Sequence, residues 1–172
     1  MMKKSIDIKA PKNDVPVERI AEVLRYDPET GKLFWLRDSK RARKGAEAGC
    51  VKPSGYVNIC IDYRYHLAHR LAWALFHGEW PKHCIDHING ARADNRIQNL
   101  RDIPKRENAQ NVRLSRGKSG LLGASWTPSA NVWRAFIKVN GRSKNLGDFQ
   151  SAEHAHAAYV NAKRLLHPGC TI

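Results

Sequence analysis

An aspartate, a histidine and two asparagines mark out residues 86–108. Asp86-His87 opens the stretch, Asn99-Leu100 lies inside it and Glu107-Asn108 closes it, with Asn89-Gly90 and Asn95 in the loop between. A carboxylate or amide oxygen can hold a hard divalent cation, and a neutral imidazole beside it can take a proton from water. Those are the parts of a one-metal phosphodiesterase. Read as strand, long loop, strand and helix over residues 83–112, the segment puts Asp86 and His87 on opposite faces of a strand end. One can then meet a cation while the other faces a scissile phosphate. Asn108, on the helix, can return an amide oxygen toward Asp86. Asn99, at the loop's return, can fix the tautomer of His87 through a carbonyl acceptor. Arg92, Arg96 and Arg101 are unranked candidates for neutralising a nonbridging phosphate oxygen. Asn89-Gly90 and Asn95 read better as turn residues. His66, His69, His77 and His83 receive no catalytic role, His69 being expected as a hydrogen-bonded packing residue and His83 only as a residue that could reach the site.

The elements that must position these groups follow from periodicity and turn chemistry. Residues 1–16 are polar, contain Pro11 and Pro16, and read as a flexible arm. Apolar positions 17, 20, 21, 23 and 24 suit a short helix over 17–25. Asp27 to Gly31 is a turn, and Lys32 to Trp35 a strand. Residues 37–49 form a basic loop with Arg37, Lys40, Arg41, Arg43 and Lys44. Residues 55–61 and 65–68 flank a hairpin turn. His69 to His77 has helical spacing, with a stop at Gly78 and Pro81 behind it. Lys105 to Arg113 reads as a helix after Pro104. Residues 114–120 are Gly/Ser-rich and basic, the best linker in the chain. Beyond them come strands at 122–126, 132–139 and 143–149, with Asn140-Gly141 as a two-residue hairpin turn. A helix follows from Ser151 to about His167, capped by Ser151.

Thirty Lys+Arg against sixteen Asp+Glu give a formal charge of +14 over 172 residues. That imbalance draws phosphate backbones and makes binding salt-dependent. No apolar run approaches the roughly 20 residues of a membrane-spanning helix, and the basic start has no apolar stretch behind it to make a secretory signal. Cys50, Cys60, Cys84 and Cys170 are scattered without Cys-x-x-Cys spacing, which argues against a zinc knuckle and for free thiols.

The set Asp86-His87, Asn99 and Asn108 resembles the signature of HNH nucleases, in particular phage and intron-encoded homing endonucleases with a ββα-metal fold. His69-Arg70-Leu71-Ala72-Trp73-Ala74-Leu75-Phe76 is similar to the helix preceding that motif, so the resemblance covers about residues 55–112. It implies Asp86 and Asn108 as metal ligands, His87 as general base and Asn99 as its orienting partner. The third signature position is Asn108 rather than histidine, which favours one Mg²⁺ or Mn²⁺ over zinc, because both protein ligands are oxygen donors.

Residues 122–167 resemble the Apetala/ethylene-response-factor type of DNA-binding domain. The resemblance rests on Leu122-Gly123-Ala124-Ser125-Trp126, Trp133-Arg134-Ala135, Ile137-Lys138-Val139-Asn140-Gly141, Asn145-Leu146-Gly147-Asp148-Phe149 and Ala155-His156-Ala157-Ala158-Tyr159. It implies a three-stranded sheet that reads the major groove. Strand alternation sets Val132, Arg134, Phe136 and Lys138 on one face and Trp133, Ala135, Ile137 and Val139 on the other. Arg134 and Lys138, with Arg142 and Lys144 from the next strand, are the expected DNA contacts. Trp126 is a further candidate, balanced between contact and core, while Trp133 and Phe149 are expected under the helix.

The expectation is therefore an α+β protein: a ββα-metal HNH nuclease region over 17–113, a linker at 114–120, and a three-stranded antiparallel sheet packed on one helix over 121–172. Its expected activity is metal-dependent, strand-nicking hydrolysis of double-stranded DNA in the cytoplasm of a phage-infected host. No membrane and no obligatory protein partner are implied, and a homodimer stays open. The competing readings are a sequence-specific DNA-binding regulator with a vestigial HNH region and an RNA-processing enzyme.

Overall fold

The computed structural model describes residues 15–39, 42–111 and 119–171. The expected arm (1–16) and linker (114–120) lie largely outside these residues, as do Lys40 and Arg41 of the basic loop. The chain divides after Asp102 into two compact units. Both mix helices with antiparallel sheet, the α+β class expected.

In the N-terminal unit, α1 (Val17–Val23) leads directly into β1 (Leu24–Asp27), which pairs antiparallel with β2 (Lys32–Trp35). The helix thus ends two residues earlier than its apolar spacing suggests. Leu24 is buried at the start of the strand, and a short hairpin forms around the expected turn. Next come β3 (Cys50–Val51), β4 (Val57–Ile61) and β5 (Arg64–Leu67), a three-stranded sheet in the order β3-β4-β5. The β4–β5 turn places Asp62 and Tyr63 at positive φ (48° and 63°), as two-residue hairpin turns matching strand twist require. Helix α2 (Ala68–His77) ends at Gly78, whose φ of 74° is the left-handed cap the sequence signals. Its Ala68, Leu71, Ala72 and Ala74 are buried with Ile20, Leu24, Leu33, Ile59, Ile61, Ile85 and Leu100 in one core. That core fixes the strand pair β6 (Cys84–His87) and β7 (Leu100–Ile103), with a 3-10 turn at Ile97–Asn99 leading into β7.

The division leaves α3 (Lys105–Asn108) in the C-terminal unit. That unit also holds β8 (Ala124–Thr127), β9 (Val132–Val139), β10 (Arg142–Phe149) and α4 (Ala152–Leu166), the sheet running β10-β9-β8. Ser151 caps α4 by accepting from the His154 backbone N–H. Ala124 and Ala135 pack against Ala152 and Ala155 of the helix, with Trp133, Leu146 and Phe149 around them. A sheet lined with alanines lets the helix approach closely.

Candidate active site

The strand carrying Asp86 and His87 is held at its start by Asp102 of the β6–β7 pair. The Asp102 carboxylate accepts from the backbone N–H of Lys82 (2.7 Å) and His83 (2.8 Å). His83 therefore sits at the head of the strand, its ring Nδ1 3.6 Å from Asp102. Three residues on, Asp86 and His87 enter different surroundings, as strand alternation demands.

His87 is buried (4% exposed). Its Nε2 lies 3.2 Å from Oδ1 of Asn95. An amide oxygen can only accept, so this contact puts the proton on Nε2 and leaves the lone pair on Nδ1. Asn95 is itself buried (3% exposed) and is set from the other end of the unit. The Tyr26 hydroxyl of β1 donates to its carbonyl oxygen (2.7 Å). The Ile97 N–H donates to Pro28 in the β1–β2 turn (3.2 Å). Gly31 of that turn has φ +73°, and a Cβ there would lie 2.6 Å from the Asn95 carbonyl carbon. The hairpin thus presses backbone to backbone on the segment that holds the histidine, and only glycine fits the contact.

Asn99 does a different job from the one its position suggests. Its Oδ1 accepts from the Asn89 N–H (2.9 Å) and its Nδ2 donates to the Asp94 carbonyl (2.8 Å). Its own carbonyl accepts from the Ile88 N–H (2.9 Å). It cross-links the loop between the two strands, and the carboxamide on His87 is that of Asn95. The reason is geometric. The 3-10 turn swings Asn99 back to the start of the loop, while Asn95, ahead of that turn, comes over the ring. Asn89 and Asp94 complete the loop: Asn89 Nδ2 donates to the Asp94 carboxylate at 2.7 Å. Arg96 donates to the same group at 2.6–2.8 Å, holding its carboxyl down at about 2.

His69 of α2 packs edge-on to His87, with ring centroids 5.1 Å apart at 90°. Tyr56 stands 5.3 Å from His69 and 6.0 Å from His87. Arg92 lies over the Tyr56 ring at 5.0 Å and donates to the Ser54 carbonyl. Burial pushes His69 down to about 3, helped by the charges of His87 and Arg70. Burial also pushes His87 below its usual value, against the opposing pull of the Asn95 hydrogen bond and of Asp86 and Asp94. Both rings are therefore neutral at neutral pH, the state a general base needs. His69 packs as expected but without the hydrogen bond expected of it, its Nδ1 being buried with no partner.

Asp86 is the other half of the site. Its Oδ2 accepts from both Nε (2.9 Å) and Nη2 (2.7 Å) of Arg101 on β7. The side chains are 11% and 24% exposed. Among the described residues no group of three or more His, Cys, Asp or Glu is arranged to hold a metal ion. A carboxylate oxygen beside a neutral imidazole is chemically suited to a hard cation that keeps most of its water. Asn108, the second expected oxygen, lies at the end of α3 in the C-terminal unit, its backbone N–H donating to Pro104 at 3.0 Å.

In the C-terminal unit, the register pairs Arg134 with Ser125 and Asp148, Phe136 with Asn145, and Lys138 with Ser143. Cross-strand partners share a face, so these residues form the side of the sheet away from α4. Arg134 makes two hydrogen bonds to Asp148 there (2.7 and 2.8 Å). The other expected contacts fall on the helix side: Lys144 pairs with Ile137, Arg142 with Val139, and Trp126 with Trp133. Grouping Arg142 and Lys144 with Arg134 and Lys138 by sequence proximity overlooked parity. Both pair with helix-side residues of β9, so they share that side while remaining exposed.

Residues 66–110 match the family model of the HNH endonuclease, a span containing His69, Asp86, His87, Asn95, Asn99 and Asn108. Protein 3.8 of Escherichia phage T7 is 32% identical over 85 residues, which cover 48% of this chain and 70% of that protein. The chain belongs to the family of that phage protein and carries an HNH endonuclease family domain at residues 66–110, which implies a hydrolase of the nuclease class. No solved structure matches it.

Proposed function

We propose that the protein is a metal-dependent DNA endonuclease of the homing type that nicks one strand of a duplex per event. The observation that carries this reading is the His87–Asn95 contact, which presents a neutral imidazole with Nδ1 as its basic atom. In the proposed reaction Nδ1 of His87 takes a proton from water. The water oxygen attacks phosphorus in line and the bond to the 3′-oxygen breaks, that oxygen taking a proton from solvent. Asp86, with Asn108 as the second oxygen donor, would hold one Mg²⁺ or Mn²⁺, which supplies positive charge to the reacting phosphate and the departing oxygen. Asn99 would serve by keeping the loop closed.

The C-terminal unit, a three-stranded sheet on one helix, would act as an Apetala/ethylene-response-factor-type domain and anchor duplex DNA through Arg134 and Lys138. A charge of +14 suits that role. No helix among the described residues is long and apolar enough to cross a membrane, and the proposed setting is the cytoplasm of an infected cell. The test is conversion of supercoiled plasmid to open circle with Mg²⁺, Mn²⁺ or EDTA. Nicking with metal and none with EDTA is expected. Binding without cleavage in any metal would instead favour a DNA-binding regulator with a vestigial nuclease region.

A further inference from the structure

The three candidate arginines of the nuclease region have separate occupations. Arg96 is held by Asp94, and Arg92 by the Tyr56 ring and the Ser54 carbonyl. Arg101 alone of the three sits on the proposed ligand, aiming two N–H groups at one oxygen of Asp86. A carboxylate so engaged is a poor cation site. The guanidinium offsets its charge, repels an incoming divalent ion and takes up one of its two oxygens. A phosphate diester offers Arg101 an alternative, since guanidinium groups bind phosphate oxygens with the same fork geometry they use on carboxylates.

We propose that Arg101 is a switch between the two halves of the site. In the free protein it covers Asp86. When DNA binds, the scissile phosphate takes the guanidinium, and Asp86 becomes available to the cation. The inference rests on the metal-dependent reading above and adds to it an order of assembly: the cation binds well only once DNA is seated. By linkage, cation and duplex then strengthen each other's binding by the same factor, about 5–150-fold if this coupling is typical. Arg101 is in this sense a positioning residue whose removal should help the ion, the opposite of what loss of a mere support would do.

The test measures Mn²⁺ affinity from the electron paramagnetic resonance signal of the free ion. It uses the full chain in a cleavage-inactive His87→Ala background, with and without a short mixed-sequence duplex. Thermal unfolding confirms that each variant is folded. Arg101→Gln is expected to raise Mn²⁺ affinity of the DNA-free protein and to shrink the gain on adding duplex. Arg101→Lys, which keeps the positive charge, should retain most of the suppression. Asp86→Asn should abolish the Mn²⁺ site in every combination. A fall in Mn²⁺ affinity with both Arg101 variants, or an unchanged DNA-dependent gain in Arg101→Gln, overturns the switch while leaving metal dependence intact. Failure of the parent protein to bind Mn²⁺ even with duplex overturns the metal-dependent reading, and the switch with it.

Discussion

Asn95 offers the sharpest perturbation of the proposed mechanism. Its Oδ1 is 3.2 Å from Nε2 of a histidine that is itself buried. Asn95→Ala leaves that N–H facing a void where water enters with difficulty. A buried donor deprived of its partner costs about 1–3 kcal/mol. If all of that falls on the transition state, the cleavage rate drops by about 5- to 150-fold, at about 1.4 kcal/mol per factor of ten. The pH dependence supplies an independent sign. The Asn95 bond holds the His87 pKa up against burial, so its loss moves the acidic limb of the pH–rate profile to lower pH. Asn95→Asp does the reverse: a carboxylate on Nε2 favours the imidazolium and raises its pKa by about 1–3 units. That variant should be slow at neutral pH and recover in alkali. The assay is single-turnover cleavage of end-labelled duplex between pH 5 and 9. If Asn95→Ala leaves rate and limb unchanged while Asn99→Ala shifts the limb, the assignment of the orienting residue is wrong.

The hairpin that presses on Asn95 should matter to cleavage although it lies far from it in sequence. Gly31→Ala adds a Cβ 2.6 Å from the Asn95 carbonyl carbon at φ +73°. It should lower unfolding free energy by more than the roughly 1–2 kcal/mol of the left-handed conformation alone, as read by urea denaturation, with cleavage falling in parallel. Stability should also fall on acidification. Burial holds His69 at about 3, and His87 is shifted in the same direction. The unfolded chain therefore binds more protons between about pH 6.5 and 3, and stability declines through that window, by up to about 1.4 kcal/mol per pH unit for each such histidine. Replacing His69 by Met should flatten the pH dependence of the melting temperature, and an unchanged slope would contradict the burial argument. In the C-terminal unit, Lys138→Ala should weaken duplex binding and reduce the salt slope by about one ion. Arg142→Ala and Lys144→Ala, on the helix side, should do less. Equal effects from all three in fluorescence-anisotropy titrations would place the interface elsewhere.

Much of the architecture could be read from residue order because it is local. Gly78 stops its helix, Asn140-Gly141 turns its hairpin, and Ser151 caps the last helix, each through chemistry within a few residues. The pairing of Asp86 and His87 on one strand end was equally legible. What sequence could not show is contact between distant segments. Asn95 reads as a turn residue, and nothing in the spacing says that Tyr26 and Gly31, more than sixty residues upstream, fix it over the histidine. Position at the loop's return and the motif both point Asn99 to the ring, whereas the 3-10 turn directs its side chain across the loop. The Arg101–Asp86 pair is equally hidden, since three arginines within ten residues look alike until the strands are paired. On the sheet, alternation separated the two faces of β9, but the side taken by Arg142 and Lys144 needed the register across the Asn140-Gly141 turn.

The proposed chemistry requires His87 to be the base and not a structural residue. The direct test compares wild-type protein and His87→Ala on one labelled duplex, measuring binding by anisotropy and cleavage by gel under the same conditions. Cleavage should fall on the order of a hundredfold or more while binding stays nearly constant. Cleavage that survives the substitution, or binding lost in equal measure, would contradict it.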